Sequence, residues 1–317
     1  MAGDGNSKRK ENRLEHKTTY TEFLGLCAEL AKQTYPKKLR TEICSTVKNN
    51  DVELTGLLLK EPGEVLAPNF FLKEQYKLWC MGQCSLEEIV NGVLNAYTEE
   101  MEKNRKIAEG IVLEWERMKP HVYIRLVGRG RNEKKLDDIP HEEYLDMVMI
   151  YHYVIEMSED TRGALLLTNE HLLLLGITKE ELHEAAVANT QTGMQPVILD
   201  MEEMLCRLGK RLGVFVPGVE RNPYLYVMSN AYGKYGAVSL LFQEELERFS
   251  GEIGNSFFIL PSSVHELILV PDSGGVSAEQ LLAMVREVNR TQIEATEVLT
   301  DSVYYYDREI HTVRRIA

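Results

Sequence analysis

The sequence predicts an α+β fold that is divided over several small domains. Two observations lead to this prediction. A helix, three strands and a second helix follow one another in the first third of the chain, and the order β-α-β-β-α-β then occurs twice. The chain has 317 residues, of which 44% are hydrophobic, so it can bury the cores of two or three domains.

Residues 1–17 predict a disordered leader, because they combine Gly, Asn, Ser, Lys and Glu without apolar periodicity. The first domain, residues 18–119, starts with a predicted helix over Thr19–Lys32. Turn sequences then separate three extended runs that predict a three-stranded meander. These runs are Arg40–Lys48, Val52–Lys60 and Glu64–Leu72.

The clearest helix of the first domain starts at Ser85. Ser85 and Glu88 have the spacing of a capping box, in which each side chain accepts a hydrogen bond from a free backbone N–H of the first turn. An apolar stripe at helical spacing continues from there to Met101. Pro120 marks the predicted end of this domain.

Residues 120–212 and residues 213–317 each predict a β-α-β-β-α-β unit, the element order of a ferredoxin-like fold. The predicted helices are Pro140–Met147, Thr178–Asn189, Ala237–Phe249 and Ala278–Gln292. The predicted strands are Val122–Val127, Val148–Met157, Ala164–Thr168, Pro196–Leu199, Tyr224–Ser229, Ser256–Leu260, Leu267–Val270 and Ser302–Tyr306. Gly176-Ile177-Thr178 and Gly275-Val276-Ser277 occupy matching positions before a helix, which we interpret as a trace of duplication.

The charge and the cysteines restrict the class of protein. A formal net charge of −13 argues against non-specific binding to nucleic acid or to an anionic membrane, because the summed field repels polyanions. No apolar run reaches the roughly 20 residues of a membrane helix, and residues 1–17 lack the apolar stretch of a signal peptide. The five cysteines are scattered and odd in number, which predicts reduced thiols and a cytoplasmic location.

The sequence His141-Glu142-Glu143 resembles the start of a zinc-binding helix. Such a helix needs a second ligand four residues further on, and this chain has Leu145 there. Cys80 and Cys84 are also four residues apart, but no second pair completes a tetrahedral site. The sequence therefore predicts no metal and no cofactor.

Ser262, Ser263 and His265 suggest a nucleophile and its base. In an extended chain the side chains of Ser263 and His265 are roughly 7 Å apart, which is too far for a hydrogen bond. No G-x-S-x-G motif surrounds either serine. A catalytic site would have to combine distant residues, and the candidates are His265, Ser262 and His141.

A cluster of cations interrupts this acidic sequence at Arg125, Arg129, Arg131, Lys134 and Lys135. The stretch 128–131, Gly-Arg-Gly-Arg, has neither the third glycine nor the Lys-Ser or Lys-Thr pair of a nucleotide-binding loop. The cluster is the best candidate for an anion-binding surface, and the alternative is a solvated hairpin tip.

Four parts of the chain resemble an uncharacterised clostridial family, domain of unknown function 5688. They are the stretch from Leu167–His171 through Asn189-Thr190, then Tyr224–Asn230 with Tyr232-Gly233, Ser256–Glu266, and Asp301–Tyr304. That family has no assigned activity, cofactor or catalytic residue, so the resemblance assigns no role to any position. It implies a Firmicute source and a mobile-element neighbourhood.

We expect a non-catalytic binding or regulatory protein with a protein partner, because no local catalytic motif is complete. Two alternatives stay open. One is a hydrolase or transferase whose site the fold assembles from distant residues. The other is local binding of an anion or a nucleic acid through residues 125–135.

Overall fold

The computed structural model describes residues 18–64, 67–110, 113–158, 161–212, 225–261 and 263–317. Helices and sheets of three, four and six strands occur within these ranges, which confirms the predicted α+β class. The predicted leader lies outside the described residues. Two compact units are present, one of residues up to 48, 53–112 and 155–163, the other of residues 49–52, 113–154 and 164–317. In the described ranges, every helix is too short or too polar to cross a membrane.

The first unit packs three helices against a small antiparallel sheet. Its elements are α1 (Tyr20–Thr34), β1 (Arg40–Val47), β2 (Glu53–Lys60), β3 (Asn69–Phe70), α2 (Lys73–Cys80) and α3 (Leu86–Gly110), and the strands pair in the order β1-β2-β3. The predicted sequence of helix, three strands and helix is confirmed. Helix α2 was not predicted from the sequence.

The apolar stripe of α3 supplies much of the core of the first unit. Val90, Val93 and Tyr97 of α3 are buried together with Phe23 of α1 and Leu57 of β2. The stripe recurs at intervals of three and four residues, so one face of the helix meets the rest of the core. Burial of apolar surface stabilises such a core by about 25 cal/mol per Å².

The second unit begins with a four-stranded sheet. The elements in this part of the chain are α4 (Trp115–Met118), β4 (Val122–Gly128), α5 (Glu133–Leu136), β5 (His141–Tyr144), β6 (Met147–Ser158), β7 (Thr161–Leu166), α6 (Asn169–Leu175) and α7 (Lys179–Gly193). The last four residues of β6 and the first three of β7 are counted with the first unit. Strand β6 is central, since β4, β5 and β7 all pair with it. Helices α6 and α7 both start with a capping box, at Thr168 and Thr178.

The predicted helix over Pro140–Met147 is wrong. The segment forms β5 and a tight turn into β6, in which Tyr144 pairs with Met147 and Leu145 has a φ of 58°. Acids after a proline are typical of a helix start, but a segment of eight residues is too short to be a stable helix by itself. Pairing with β6 satisfies its backbone groups and so decides the structure.

The second sheet of this unit has six strands, in the order β13-β12-β10-β11-β9-β8. Its elements are β8 (Pro196–Asp200), α8 (Met201–Leu212), β9 (Tyr226–Asn230), α9 (Gln243–Ile253), β10 (Phe257–Leu260), β11 (Leu267–Pro271), α10 (Ala278–Thr291), β12 (Tyr304–Asp307) and β13 (Thr312–Arg315). A 3-10 helix, Gly236–Leu241, precedes α9.

The strand pairing corrects the prediction of two duplicated ferredoxin-like units. In a ferredoxin-like unit both helices cover the same face of the sheet. Here Phe257 and Ile259 of β10 pack with the α9 side, whereas Phe258 and Leu260 pack with the α10 side. In addition β8, from the first predicted unit, pairs with β9 of the second. The β-α-β-β-α-β order was visible in the sequence, but the partner of each strand depends on contacts between distant residues.

Candidate anion-binding site

Part of the predicted basic cluster lines a pocket of about 340 Å³ in the second unit. Arg129 and Arg131 come from the turn after β4, and two further arginines join them from distant parts of the chain, Arg286 of α10 and Arg315 of β13. Asp146 and Asp301 line the same pocket. Four arginines from three parts of the chain therefore line one concave site, which we call the arginine pocket.

The turn after β4 is held by close backbone contacts. A Cβ atom on Gly128 would lie 2.2 Å from the carbonyl oxygen of Leu299, so the approach of these two segments requires glycine. The buried Asn132 side chain donates to the carbonyl of Gly128 at 2.8 Å, and its backbone N–H donates to the carbonyl of Arg129 at 3.0 Å. These contacts fix the backbone from which Arg129 and Arg131 extend.

Helix α10 holds the opposite wall. The side chain of Asn289 donates to the carbonyl of Thr300 and to Oδ1 of Asp301, both at 2.9 Å, and so ties the loop before β12 to the helix. Arg286 is three residues before Asn289, and side chains at this spacing share a helix face. Arg286 therefore comes to the same pocket as Asp301.

The negative charge of Asp301 is stabilised by two neighbouring side chains, Asn289 and Arg131. Arg131 Nη2 donates to Asp301 Oδ2 in a short ion pair. Burial alone would raise the pKa of Asp301, but the hydrogen bond from Asn289 and the charge of Arg131 outweigh it, and the pKa is lowered. The carboxylate is thus held in its charged form.

Asp146 lies in the turn between β5 and β6. It accepts hydrogen bonds from Ser302 Oγ at 2.7 Å and from the hydroxyl of Tyr304. Tyr304 is fully buried, and this desolvation raises its pKa, as does its hydrogen bond to Asp146. Arg315 Nη1 is 3.7 Å from Asp146 Oδ2, at the outer limit of an ion pair.

Arg129 and Arg286 are held less firmly by neighbouring acids than Arg131 is. Arg129 forms an ion pair with Glu143 at 3.1 Å, and both side chains are more than half exposed. Exposed pairs of this kind contribute only about 0–1 kcal/mol. Arg286 forms no ion pair with any residue in the described ranges, although its charge contributes to the lowered pKa of Asp301. An incoming oxyanion could therefore engage Arg129 and Arg286 at little cost.

The other members of the predicted basic cluster lie elsewhere. The guanidinium carbon of Arg125 is 3.5 Å from the ring centroid of Tyr235, and burial lowers the pKa of this arginine. Lys134 and Lys135 are in the short helix α5, outside the pocket lining. Two of the five predicted anion-binding residues thus reach the pocket.

His265, the first catalytic candidate, connects β10 and β11. Its Nδ1 accepts the backbone N–H of Tyr235 at 3.0 Å, so Nε2 carries the proton and faces Glu297 Oε1 at 3.3 Å. Tyr235 has a φ of 56°, a strained value for an aromatic residue. Because both ring nitrogens have partners, this geometry favours a role in holding the Tyr235 backbone.

His141, a second catalytic candidate, has other partners than His265. His141 Nδ1 contacts the carbonyl oxygen of Ile139 at 3.0 Å, and its own carbonyl accepts a hydrogen bond from Lys179 Nζ. Within the described residues, the hydrogen-bond and ion-pair partners of His141 and of His265 do not overlap. Ser262 lies outside the described residues, so the assembled catalytic site stays a prediction.

A second, larger pocket of about 560 Å³ lies between α10 and the six-stranded sheet. Its lining is almost wholly apolar, with Phe258, Val270 and Leu281 among its walls. Asp272 at its rim already accepts hydrogen bonds from Tyr305 and from the backbone of Gly274. This pocket therefore has few polar groups that could orient a ligand.

Sequence reasoning found Arg129 and Arg131 because they are neighbours, and missed Arg286 and Arg315. Neither of these belongs to a local motif. Arg286 is one of several charges on the exposed side of an amphipathic helix, and Arg315 is the last residue of an edge strand. Only the pairing of β12 with β13 and the packing of α10 bring them to the turn after β4.

Comparison with known proteins gives one family. The family model described as "Family of unknown function (DUF5688)" matches residues 20–308. No curated protein and no solved structure matches the chain.

Proposed function

The chain belongs to DUF5688, a family of unknown function, and we propose that it is a non-catalytic binding protein. The arginine pocket receives an anionic group of its ligand. The observation that supports this is the meeting of Arg129, Arg131, Arg286 and Arg315 at one concave site of an acidic chain.

The chemistry of the four side chains suits an oxyanion. The guanidinium group is planar, stays charged and presents paired N–H donors that match phosphate and carboxylate oxygens. Hydrogen bonds to charged groups contribute about 1.5–3 kcal/mol each. Two such contacts, made by Arg129 and Arg286, would give a dissociation constant between about 40 µM and about 6 mM.

Calorimetric titration with inorganic phosphate and with sulfate at low salt tests this proposal. We expect binding to the wild type, and a loss of about tenfold or more in affinity for each of two variants, because one lost charged contact exceeds about 1.4 kcal/mol. The variants are the double change Arg129→Ala with Arg131→Ala, and Arg286→Ala.

Arg290→Ala is the matched control. Arg290 lies on the same helix as Arg286 and pairs with the exposed Glu287 away from the pocket lining. The control should bind both anions like the wild type. Equal affinity in all four proteins, or no measurable binding to any of them, would contradict the proposal.

A short DNA duplex separates this proposal from the nucleic-acid alternative. The formal charge of −13 predicts negligible duplex binding even at low salt. Salt-dependent duplex binding that is lost in the Arg129/Arg131 double variant would instead favour nucleic acid as the ligand.

We also propose a cytoplasmic location. All five cysteines are free thiols, which is typical of proteins from a reducing compartment. Burial raises the pKa of Cys27 to about 12, so this thiol is also unreactive. Alkylation of the denatured protein straight from cells, without reductant, should label all five cysteines, and fewer labels would contradict this location.

A further inference from the structure

Strand β13 forms one edge of the six-stranded sheet. In the described part of the chain it pairs with β12 alone, from Thr312 opposite Asp307 to Arg315 opposite Tyr304. An edge strand presents the backbone groups on its outer side to any further strand that approaches. The register shows which groups these are.

The backbone N–H of Ile316 donates to the carbonyl of Val303 at 2.9 Å. In an antiparallel pair, directly hydrogen-bonded positions alternate with positions that are not bonded to each other. Arg314 is two residues before Ile316 and is therefore bonded to its partner in β12. The N–H and C=O groups of Val313 and Arg315 consequently point outwards, away from β12.

The side chains of β13 add a charge pattern to this edge. Arg315 lines the arginine pocket, whereas Arg314 lies on the other face, with its guanidinium carbon 5.5 Å from the ring centroid of Tyr305. The side chains of Arg314 and Arg315 are 59% and 55% exposed. Successive residues of an added strand would meet Arg314 on one face and Arg315 on the other.

The nearby acids leave both arginines accessible to a partner. Arg314 is 3.8 Å from Asp307 and Arg315 is 3.7 Å from Asp146, so neither ion pair is tight. Like charges on an edge strand also prevent two copies of the same edge from pairing. An acidic strand would meet no such repulsion and would find complementary charges on both faces.

We infer that the partner is a protein that presents an extended acidic peptide, which adds as a further strand along β13. This inference rests on the proposed function, because an acidic side chain opposite Arg315 would enter the arginine pocket. Hydrogen bonds to Val313 and Arg315 would align the peptide, and the charges would select it.

A fluorescein-labelled octapeptide of glutamate and threonine is a suitable probe, with binding followed by fluorescence anisotropy at low salt. The comparison peptide has the same sequence and charge, but all its backbone amides are N-methylated, so neither edge of the peptide keeps its N–H donors. Strand addition needs the backbone N–H groups, whereas simple charge attraction does not. We expect N-methylation to weaken binding at least tenfold, and equal binding of the two peptides would overturn the inference.

Val313→Pro tests the same edge from the protein side. The N–H of Val313 points away from β12, so proline removes an outer donor and keeps the bonds between β12 and β13. We expect Val313→Pro to weaken peptide binding at least tenfold and to leave the affinity for inorganic phosphate unchanged. Val313→Ala is the matched control and should bind the peptide like the wild type.

The two proposals fail in different ways. If the wild type binds phosphate in the arginine pocket but does not bind the peptide, the strand-addition inference is wrong and the proposed function stands. If the wild type binds neither probe, both are wrong. If Val313→Pro retains full peptide binding, the peptide does not use the β13 edge.

Discussion

Replacing Tyr304 with phenylalanine removes the hydroxyl that contacts Asp146, a residue of the arginine pocket, and keeps the buried ring. The hydroxyl donates to the carboxylate of Asp146 and lies 3.2 Å from Thr300 Oγ1. A hydrogen bond to a charged group contributes about 1.5–3 kcal/mol, so the free energy of unfolding should fall by about 2 kcal/mol. For a unit of about 200 residues this lowers the melting temperature by about 4–8 °C.

Thermal and urea unfolding followed by circular dichroism measure this loss. Tyr305→Phe is the matched control, because the Tyr305 hydroxyl also donates to a carboxylate, that of Asp272 at 2.9 Å, but the residue is partly exposed. Tyr305→Phe should lower the free energy of unfolding by less than about 0.5 kcal/mol. A double-mutant cycle with Asp146→Ala should give a coupling energy of about 1–2 kcal/mol.

Two results would refute this reasoning. One is an equal loss of stability in Tyr304→Phe and Tyr305→Phe. The other is a coupling energy near zero between Tyr304 and Asp146, which would mean that the hydrogen bond does not stabilise the folded protein.

Three further changes have defined outcomes. Asp301→Asn should remove stability that the wild type has at neutral pH and loses as the pH falls below about 4, because the pKa of Asp301 is lowered in the folded state. Unfolding of both proteins at pH 3 and pH 7 checks this, and the same pH dependence in both would contradict it. Gly128→Ala should destabilise by about 2 kcal/mol or more, because its Cβ would collide with the Leu299 carbonyl, and a wild-type urea midpoint would contradict the close approach. His265→Ala should cost about 1–3 kcal/mol by leaving the Tyr235 N–H without its acceptor, and intact stability would show that this hydrogen bond contributes little.

Local signals in the sequence predicted the first unit well. The capping box at Ser85 is present in the structure, where Glu88 accepts from the Ser85 N–H at 2.8 Å and Ser85 Oγ accepts from the Glu88 N–H at 3.1 Å. Such a motif involves residues three apart, so it can be read from the sequence directly. Strand β3 is shorter than its predicted run because only Asn69–Phe70 pairs with β2.

Non-local pairing explains what the sequence did not reveal in the second unit. The segment after Pro140 has the acids of a helix start, yet β6 recruits it as a strand through the pairs from His141–Ile150 to Tyr144–Met147. In the same way, Arg286 and Arg315 carry no local sign of a site. The pocket depends on strand order and helix packing, which join segments far apart in the chain.

The strand order β13-β12-β10-β11-β9-β8 also predicts the order in which the strands pair during folding. Strands β10 and β11 are joined by a short connection, whereas β12 reaches β10 only after the long segment that contains α10. Closing a longer loop costs more chain entropy, so the β10–β11 and β12–β13 hairpins, each with a short connection, should form early. The β12–β13 hairpin should then dock on β10 late, and with it the edge strand β13. The same edge should open first when the native protein fluctuates. A strand bound along β13 would therefore slow the opening of the six-stranded sheet from this edge.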